Sequence, residues 1–179
     1  MKAVVRGITR ENLDDIPEPC RSCLYWEFPD DSEKVKLLKP ELARKKRAWF
    51  LQTLREFGNC GKLVYYGNNV VGYAQYAPIT YLPNIESYES KLAGRSEDRI
   101  VFLSCLYITE KALRRRGMGI KLLESIILDL KTRGFKAIET FARKGLSNNP
   151  SGPIELYLKK GFQIKDETDP EFPLVRLEL

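Results

Sequence analysis

Arg114-Arg115-Arg116-Gly117-Met118-Gly119 joins two stretches of opposite periodicity, and its reading decides the fold. Ahead of it, Ile100-Val101-Phe102-Leu103-Ser104-Cys105-Leu106-Tyr107-Ile108 is rich in β-branched and aromatic residues and long enough for a buried strand. Behind it, Ile120, Leu123, Ile127 and Leu130 recur at helical spacing, and Leu122 and Ile126 widen the apolar stripe. The chain therefore passes from a strand, through a basic glycine-bearing turn, into a helix. Unpaired N–H groups and the positive end of the helix dipole gather at such a junction, where they suit an anionic diphosphate. Gly117 and Gly119 remove side chains that would keep a phosphate from the backbone.

Two common phosphate loops do not fit. The dinucleotide fingerprint G-x-G-x-x-G needs a small residue at position 122, where Leu122 stands, and the Walker A loop needs wider glycine spacing with a Lys-Ser/Thr pair. What Arg114, Gly117 and Gly119 form is R-x-x-G-x-G. Further on, Leu156-Tyr157-Leu158-Lys159-Lys160-Gly161-Phe162 reads as a short helix running into a strand. Between the two lie a strand candidate, Ala137–Ala142, and a loop from Arg143 to Gly152. In this order and with these elements between them, the two segments resemble the cofactor motif and the later L-Y-x-x-x-G-F element of the GNAT N-acetyltransferase superfamily. The resemblance covers Ile100 to Phe162 by motif and the rest of the chain by its order of elements.

At 179 residues the chain fits a single domain over 1–179 with a core of its own. Its hydrophobic share, 43%, and charged share, 30%, are those of a globular protein, so disorder is not expected. No apolar run reaches membrane-spanning length and the N-terminus lacks a signal-peptide pattern, so a cytoplasmic protein with no membrane partner is expected. The net charge of +6 is concentrated in Arg44-Lys45-Lys46-Arg47 and in Arg114 to Arg116. The first run reads as the solvated face of a helix from Pro40 to Phe57, and the second has a phosphate-bearing cofactor to meet, so nucleic acid is not an expected partner. Histidine is absent, which removes imidazole bases, His-based triads and Cys/His zinc sites.

Along the chain, Ala3–Ile8 reads as a strand and Thr9–Ile16 as a short helix that Pro17 and Pro19 end. Lys62–Tyr66 and Val70–Ile79 flank Gly67-Asn68-Asn69, a hairpin signal. Residues 81–97 read as a loop or short helix, and Leu174–Leu179 as a closing strand. The expected fold is α/β. It is the GNAT acyl-CoA N-acyltransferase fold: a central mixed, mostly antiparallel sheet with splayed parallel strands, flanked by helices.

The resemblance implies acetyl-CoA as acetyl donor and a small-molecule or peptide amine as acceptor, and it admits a homodimer. It implies that backbone groups of Leu106, Tyr107 and Ile108 hold the pantetheine arm like an added strand. The turn residues Arg114, Arg115, Arg116 and Gly117, with Met118, Gly119 and Ile120 opening the helix, would hold the diphosphate and 3′-phosphate. Tyr157 aligns with the tyrosine proposed to protonate the departing thiolate, and Asn149 stands one place from a cofactor-contacting asparagine. The other reading of Tyr157 is a packed core aromatic among Ile154, Leu156, Leu158 and Phe162. Many relatives carry a carboxylate base on the central strand, but this strand offers Ser104 and Cys105. Glu27, beside Tyr25 and Trp26, is therefore the candidate for amine recognition or water-mediated deprotonation, against a solvated loop charge.

Cys20-x-x-Cys23 admits three readings: half a zinc site completed by Cys60 and Cys105, a redox pair, or plain buried thiols. Residues 17–30 and 80–97 are expected to shape the acceptor pocket. The reading of the whole is an N-acetyltransferase acting by direct transfer without an acyl-enzyme. Its rival is a catalytically silent acyl-CoA-binding regulatory domain, which the missing strand carboxylate keeps open.

Overall fold

The hairpin read around Gly67 and Asn68 pairs β2 (Gly61–Tyr66) with β3 (Asn69–Ala77), and the chain builds outward from it. The structure, a computed structural model, describes residues 2–29, 36–91, 99–145 and 150–179. β1 (Ala3–Gly7) adds antiparallel to β2, and β4 (Ile100–Ile108) adds antiparallel to β3. β5 (Ala137–Phe141), β6 (Gln163–Asp166) and β7 (Leu174–Glu178) complete a seven-stranded sheet of order β1-β2-β3-β4-β5-β7-β6. β4 and β5 pair in parallel and the other described pairs are antiparallel, as the sequence predicts. Val70–Ile79 stops being a strand at Ala77, because Pro78 has no N–H for the ladder.

Among the described residues three α-helices flank the sheet: α1 (Lys39–Glu56), α2 (Met118–Thr132) and α3 (Ile154–Lys159). Arg10–Asp15 is a 3-10 helix rather than an α-helix, with the Asn12 side chain accepting from the Thr9 amide at 2.7 Å. Within 81–97, a short 3-10 helix spans Pro83–Ser87, while 92–98 lie outside the described residues. The helices bury the two sheet faces separately. Leu122, Leu123, Ile126 and Leu130 of α2 pack with Val101, Leu103, Leu106 and Ile108 on one face. Phe50 of α1 packs with Tyr73, Phe102, Cys105, Phe141 and Trp26 on the other.

β4 changes sides within its own length. Val101 and Leu103 face α2 while Phe102 faces α1, yet beyond Ser104 it is Leu106 and Ile108 that face α2 and Cys105 that faces α1. The cause is a bulge. Gln75 pairs with Cys105 and Tyr76 with Leu103, so Ser104 is one extra residue on β4, its hydroxyl donating to the Gln75 carbonyl at 3.0 Å. Pairing of β4 with β5 runs only from Ile100 to Phe102, and past the bulge the strands diverge. The gap they leave opens in the middle of the sheet.

Because strand side chains alternate faces, a chain lacking Ser104 would reverse every side chain from Cys105 to Ile108. Such a deletion should abolish cooperative unfolding. Ser104→Ala, which loses one buried hydrogen bond, should cost about 1 kcal/mol in denaturant titrations. A deletion variant as stable as Ser104→Ala would show that the parity shift is dispensable.

Candidate functional site

On the α2 side of the gap, the turn after β4 delivers free amides to one point. Gly117 is the N-cap of α2, with φ +79, and no side chain caps the helix. The first intrahelical bond runs from the Lys121 amide to the Gly117 carbonyl at 3.0 Å, so the amides of Met118, Gly119 and Ile120 precede it. Gly117 is needed for its left-handed backbone. Gly119 is different: a Cβ there would meet only Leu156 at 3.7 Å and Leu106 at 3.9 Å, ordinary contacts. Nothing in the protein's own packing requires glycine at 119, and the space a side chain would fill lies beside the helix end. Arg115 and Arg116 are exposed beside this end.

Arg114 has a bracing part in this turn. Its Nε donates to the Ile108 carbonyl at 2.9 Å and its guanidinium lies 5.1 Å from the Tyr107 ring centroid, fixing the turn against the end of β4. Of the three strand residues expected to offer backbone groups, Leu106 and Ile108 turn theirs toward the gap. Tyr107 lies between them and faces β3, in step with Thr109, whose amide bonds the Val71 carbonyl at 3.0 Å.

The gap is lined by the chain itself. The Pro150 carbonyl accepts from the Leu106 amide at 2.7 Å, and the Gly152 carbonyl accepts from the Arg143 amide at 2.9 Å, forming a parallel bridge of Arg143 with Pro153. Between them, the Ser151 carbonyl accepts from the Tyr157 hydroxyl at 2.8 Å. Tyr157 is fully buried on α3, edge-on to Phe162, and burial holds its phenol well above the usual tyrosine range. It therefore stays protonated at neutral pH. Gly152, with φ +75, closes over this hydroxyl: a Cβ would stand 2.7 Å from it. Asn149 lies outside the described residues.

On the α1 side, a cavity of about 190 Å³ is walled by Cys20, Cys23, Trp26, Tyr73, Cys105 and Tyr107, with Lys46 and the gap residue Pro150 also lining it. Of the two segments expected to shape a pocket, 17–30 supplies Cys20, Cys23 and Trp26 to this lining, whereas the described part of 80–97 supplies none of it. That part packs against Trp26 instead, the Asn84 amide bonding its carbonyl at 3.2 Å and Tyr88 stacking on its ring at 5.7 Å between centroids. Trp26 is both core and lining, while Tyr25 is exposed with its hydroxyl 2.5 Å from that of Tyr88.

Glu27 is not a solvated loop charge. It is buried, and its Oε1 pairs with the Lys46 ammonium and accepts from Gln75 Nε2 at 2.5 Å. Gln75 Oε1 in turn accepts from Lys46 at 2.6 Å and from the Tyr73 hydroxyl. Glu27 Oε2 is buried with no hydrogen-bond partner among the described residues. The reading of Arg44 to Arg47 as a solvated face fails at Lys46, which is 3% exposed. Sequence reasoning missed this residue although a signal existed: Lys46, Phe50 and Thr53 share one helical stripe. Burial works against the Lys46 charge, but the Glu27 carboxylate and the nearby thiols outweigh it and hold the ammonium above the ordinary lysine range.

Comparison with known proteins places this geometry. The family model described as the acetyltransferase (GNAT) family matches residues 17–162. No curated protein matches the chain by sequence. Among solved structures, the PaiA N-acetyltransferase of Thermoplasma acidophilum in complex with coenzyme A superposes with a TM-score of 0.63 at 14% identity, each chain covered 100%. An N-acetyltransferase of Staphylococcus aureus Mu50 gives 0.58 at 20% identity, covering 100% of this chain and 98% of its own. The ribosomal-protein-alanine N-acetyltransferase of Brucella melitensis gives 0.60 at 17% identity, covering 98% and 99% respectively. At these identities the likeness is one of fold.

Removing one member of a buried ion pair leaves the other charge uncompensated. Lys46→Met should therefore cost about 3–5 kcal/mol, and adding Glu27→Gln should recover part of it. Equal stabilities for the single and double variants would sink this account. The sign with pH follows from Lys46. Its folded-state value lies above the unfolded one of about 10.4, so the pair's contribution is fully present below that pH and is lost as pH rises through the higher value. Urea titrations across alkaline pH would register it.

Proposed function

The chain belongs to the acetyltransferase (GNAT) family, and from that membership we propose that it moves an acetyl group from acetyl-CoA directly to a primary amine. Acetyl-CoA is the family's donor, and the residues at the gap fit it. The free amides of Met118, Gly119 and Ile120 would take the diphosphate, with Arg115 and Arg116 beside them for the 3′-phosphate. The pantetheine arm would enter the gap along β4 and take the Leu106 amide from Pro150.

One observation carries the direct-transfer reading. Pro150 touches both sides: its carbonyl accepts from Leu106 at the gap, and the residue is also among those lining the α1-side cavity. An arm that displaced Pro150 would bring its thioester to the cavity, where an amine could attack it without an acyl-enzyme. The departing thiolate needs a proton. Tyr157 keeps one on a buried hydroxyl now held by Ser151, one residue from the carbonyl that the arm would displace. Glu27 is engaged by Lys46 and Gln75 behind the cavity wall, so its part would be to hold Lys46 in the lining rather than to take a proton from the amine.

Calorimetry with coenzyme A, followed by thiol release from acetyl-CoA across amines and peptides, tests the proposal. Binding without release for every acceptor would favour a silent acyl-CoA-binding domain. Two variants separate binding from chemistry. Gly119→Val should leave thermal stability nearly unchanged and weaken coenzyme A at least about tenfold, or 1.4 kcal/mol. Tyr157→Phe should lower kcat by roughly 10²-fold while leaving coenzyme A affinity in place. Unchanged turnover would remove Tyr157 from the chemistry.

A further inference from the structure

Cys20 and Cys23 have no part in the transfer just described, yet both face the cavity that it assigns to the acceptor. We propose that they form a reversible dithiol–disulfide couple built into the wall of this cavity, and that closing it shuts off acetyl transfer without weakening coenzyme A. The gating half rests on the acceptor reading given above; the couple itself does not.

The turn sets the two cysteines at a spacing a disulfide can span. Cys20–Ser22 is a 3-10 turn closed by the Cys23 amide on the Cys20 carbonyl at 3.3 Å. In a 3-10 turn, side chains three residues apart eclipse one another. A four-residue turn also holds its end Cα atoms within about 7 Å, and a disulfide needs roughly 4.4–6.8 Å. All the cysteines of the chain are free thiols in this structure. The two members differ in access: Cys20 is buried and Cys23 half-buried, so Cys23 is the sulfur that an outside reagent meets. Burial pushes the Cys20 thiol up to about 12, so its thiolate is scarce and Cys20 enters only in the second step, where its attack on the neighbouring Cys23 sulfur is intramolecular. Lys46, which lines the same cavity, supplies a cation beside them. Among the described residues no group of three His, Cys, Asp or Glu side chains is arranged to hold a metal ion.

The oxidant is a low-molecular-weight disulfide, RSSR. The Cys23 thiolate attacks one sulfur, forming Cys23–S–S–R and releasing RS⁻. The Cys20 thiolate then attacks the Cys23 sulfur and releases the second RS⁻. Both RS⁻ take up the protons the two cysteines gave, so the pair loses two electrons and RSSR becomes two RSH. The new bond draws the Cys23 sulfur onto Cys20, and with it the wall that leads into Trp26. The amides at the start of α2 lie on the other face of the sheet and are untouched.

The full chain is equilibrated in glutathione buffers from fully reduced to fully oxidised, alkylated, and mapped by peptide mass spectrometry. Expected is one Cys20–Cys23 bond, with Cys60 and Cys105 alkylated throughout. Acetyl transfer should fall at least tenfold on oxidation, recover with dithiothreitol, and leave the coenzyme A Kd unchanged. Cys20→Ser and Cys23→Ser, whatever their own rates, should lose the response to the buffer. Both thiols staying alkylatable in excess oxidised glutathione, or a bond mapping to Cys105, overturns the couple. A mapped bond with undiminished transfer overturns the gate. If the reduced protein transfers acetyl to no amine, the acceptor reading fails and the thiol map still decides the couple.

Discussion

A sheet that parts in its middle must find partners for the backbone groups along the parting. Here the Ser104 bulge ends the β4–β5 ladder after Phe102, and the Leu106 amide is left facing a gap inside the protein. A buried N–H without an acceptor costs about 1–3 kcal/mol, so such a gap does not stay empty of acceptors. The Pro150 carbonyl fills the need at Leu106, the Ser151 carbonyl takes the Tyr157 hydroxyl, and the Gly152 carbonyl takes the Arg143 amide. Three successive carbonyls thus line the parting, and two of them hold groups that the proposed reaction uses, the Leu106 amide and the Tyr157 hydroxyl. A pantetheine arm brings carbonyls of its own, so exchanging one set for the other conserves hydrogen bonds, and the exchange can be close to balanced.

The same bulge sets the sidedness of the molecule. Inserting one residue moves Leu106 and Ile108 to the α2 face and Cys105 to the α1 face. Without that shift the helix end with its free amides and the cavity with its aromatic wall would share β4 residues of the wrong orientation. Gly152 belongs to the same arrangement. Its positive φ and the 2.7 Å approach of the Tyr157 hydroxyl allow no side chain where the segment folds over α3. The fold therefore gathers the helix end, the Tyr157 hydroxyl and the α1-side cavity, to which the proposed function gives its roles, around one interruption in one strand.

How far this was legible in the sequence depends on which residues act locally. The turn at Gly117 and Gly119 is a local feature: the run before it is uniformly apolar, the run after it has helical spacing, and the glycines stand between them. The hairpin at Gly67 is legible for the same reason. The bulge is not. Residues 100–108 are buried on both faces, so there is no polar alternation whose phase could slip visibly at Ser104. Lys46 was hidden by company, since one buried cation in a run of four basic residues has the composition of a solvated face. Its partner Glu27 was singled out from its neighbours, but the burial that defines it comes from a helix nineteen residues away. Pro150 and Gly152 read as loop residues, and only tertiary structure brings their carbonyls to β4 and β5.

The absence of a carboxylate on β4 bears on the chemistry in a specific way. An amine attacks a thioester only when unprotonated, and a strand carboxylate is one means of taking its proton. The α1-side cavity supplies another means. Its walls are Trp26, Tyr73, Tyr107 and cysteine thiols, with the Lys46 ammonium as the charged group among its lining residues. Desolvation in such a wall lowers the pKa of an entering amine, and a neighbouring ammonium acts in the same direction. Glu27 limits the second effect by neutralising Lys46, yet its ion pair keeps the carboxylate behind Lys46 rather than in the lining. In the proposed reaction the cavity would favour an acceptor that arrives neutral or sheds its proton to water at the mouth. The buried pair would then tune the electrostatics of the wall, and such an acceptor would not need a strand carboxylate to take its proton.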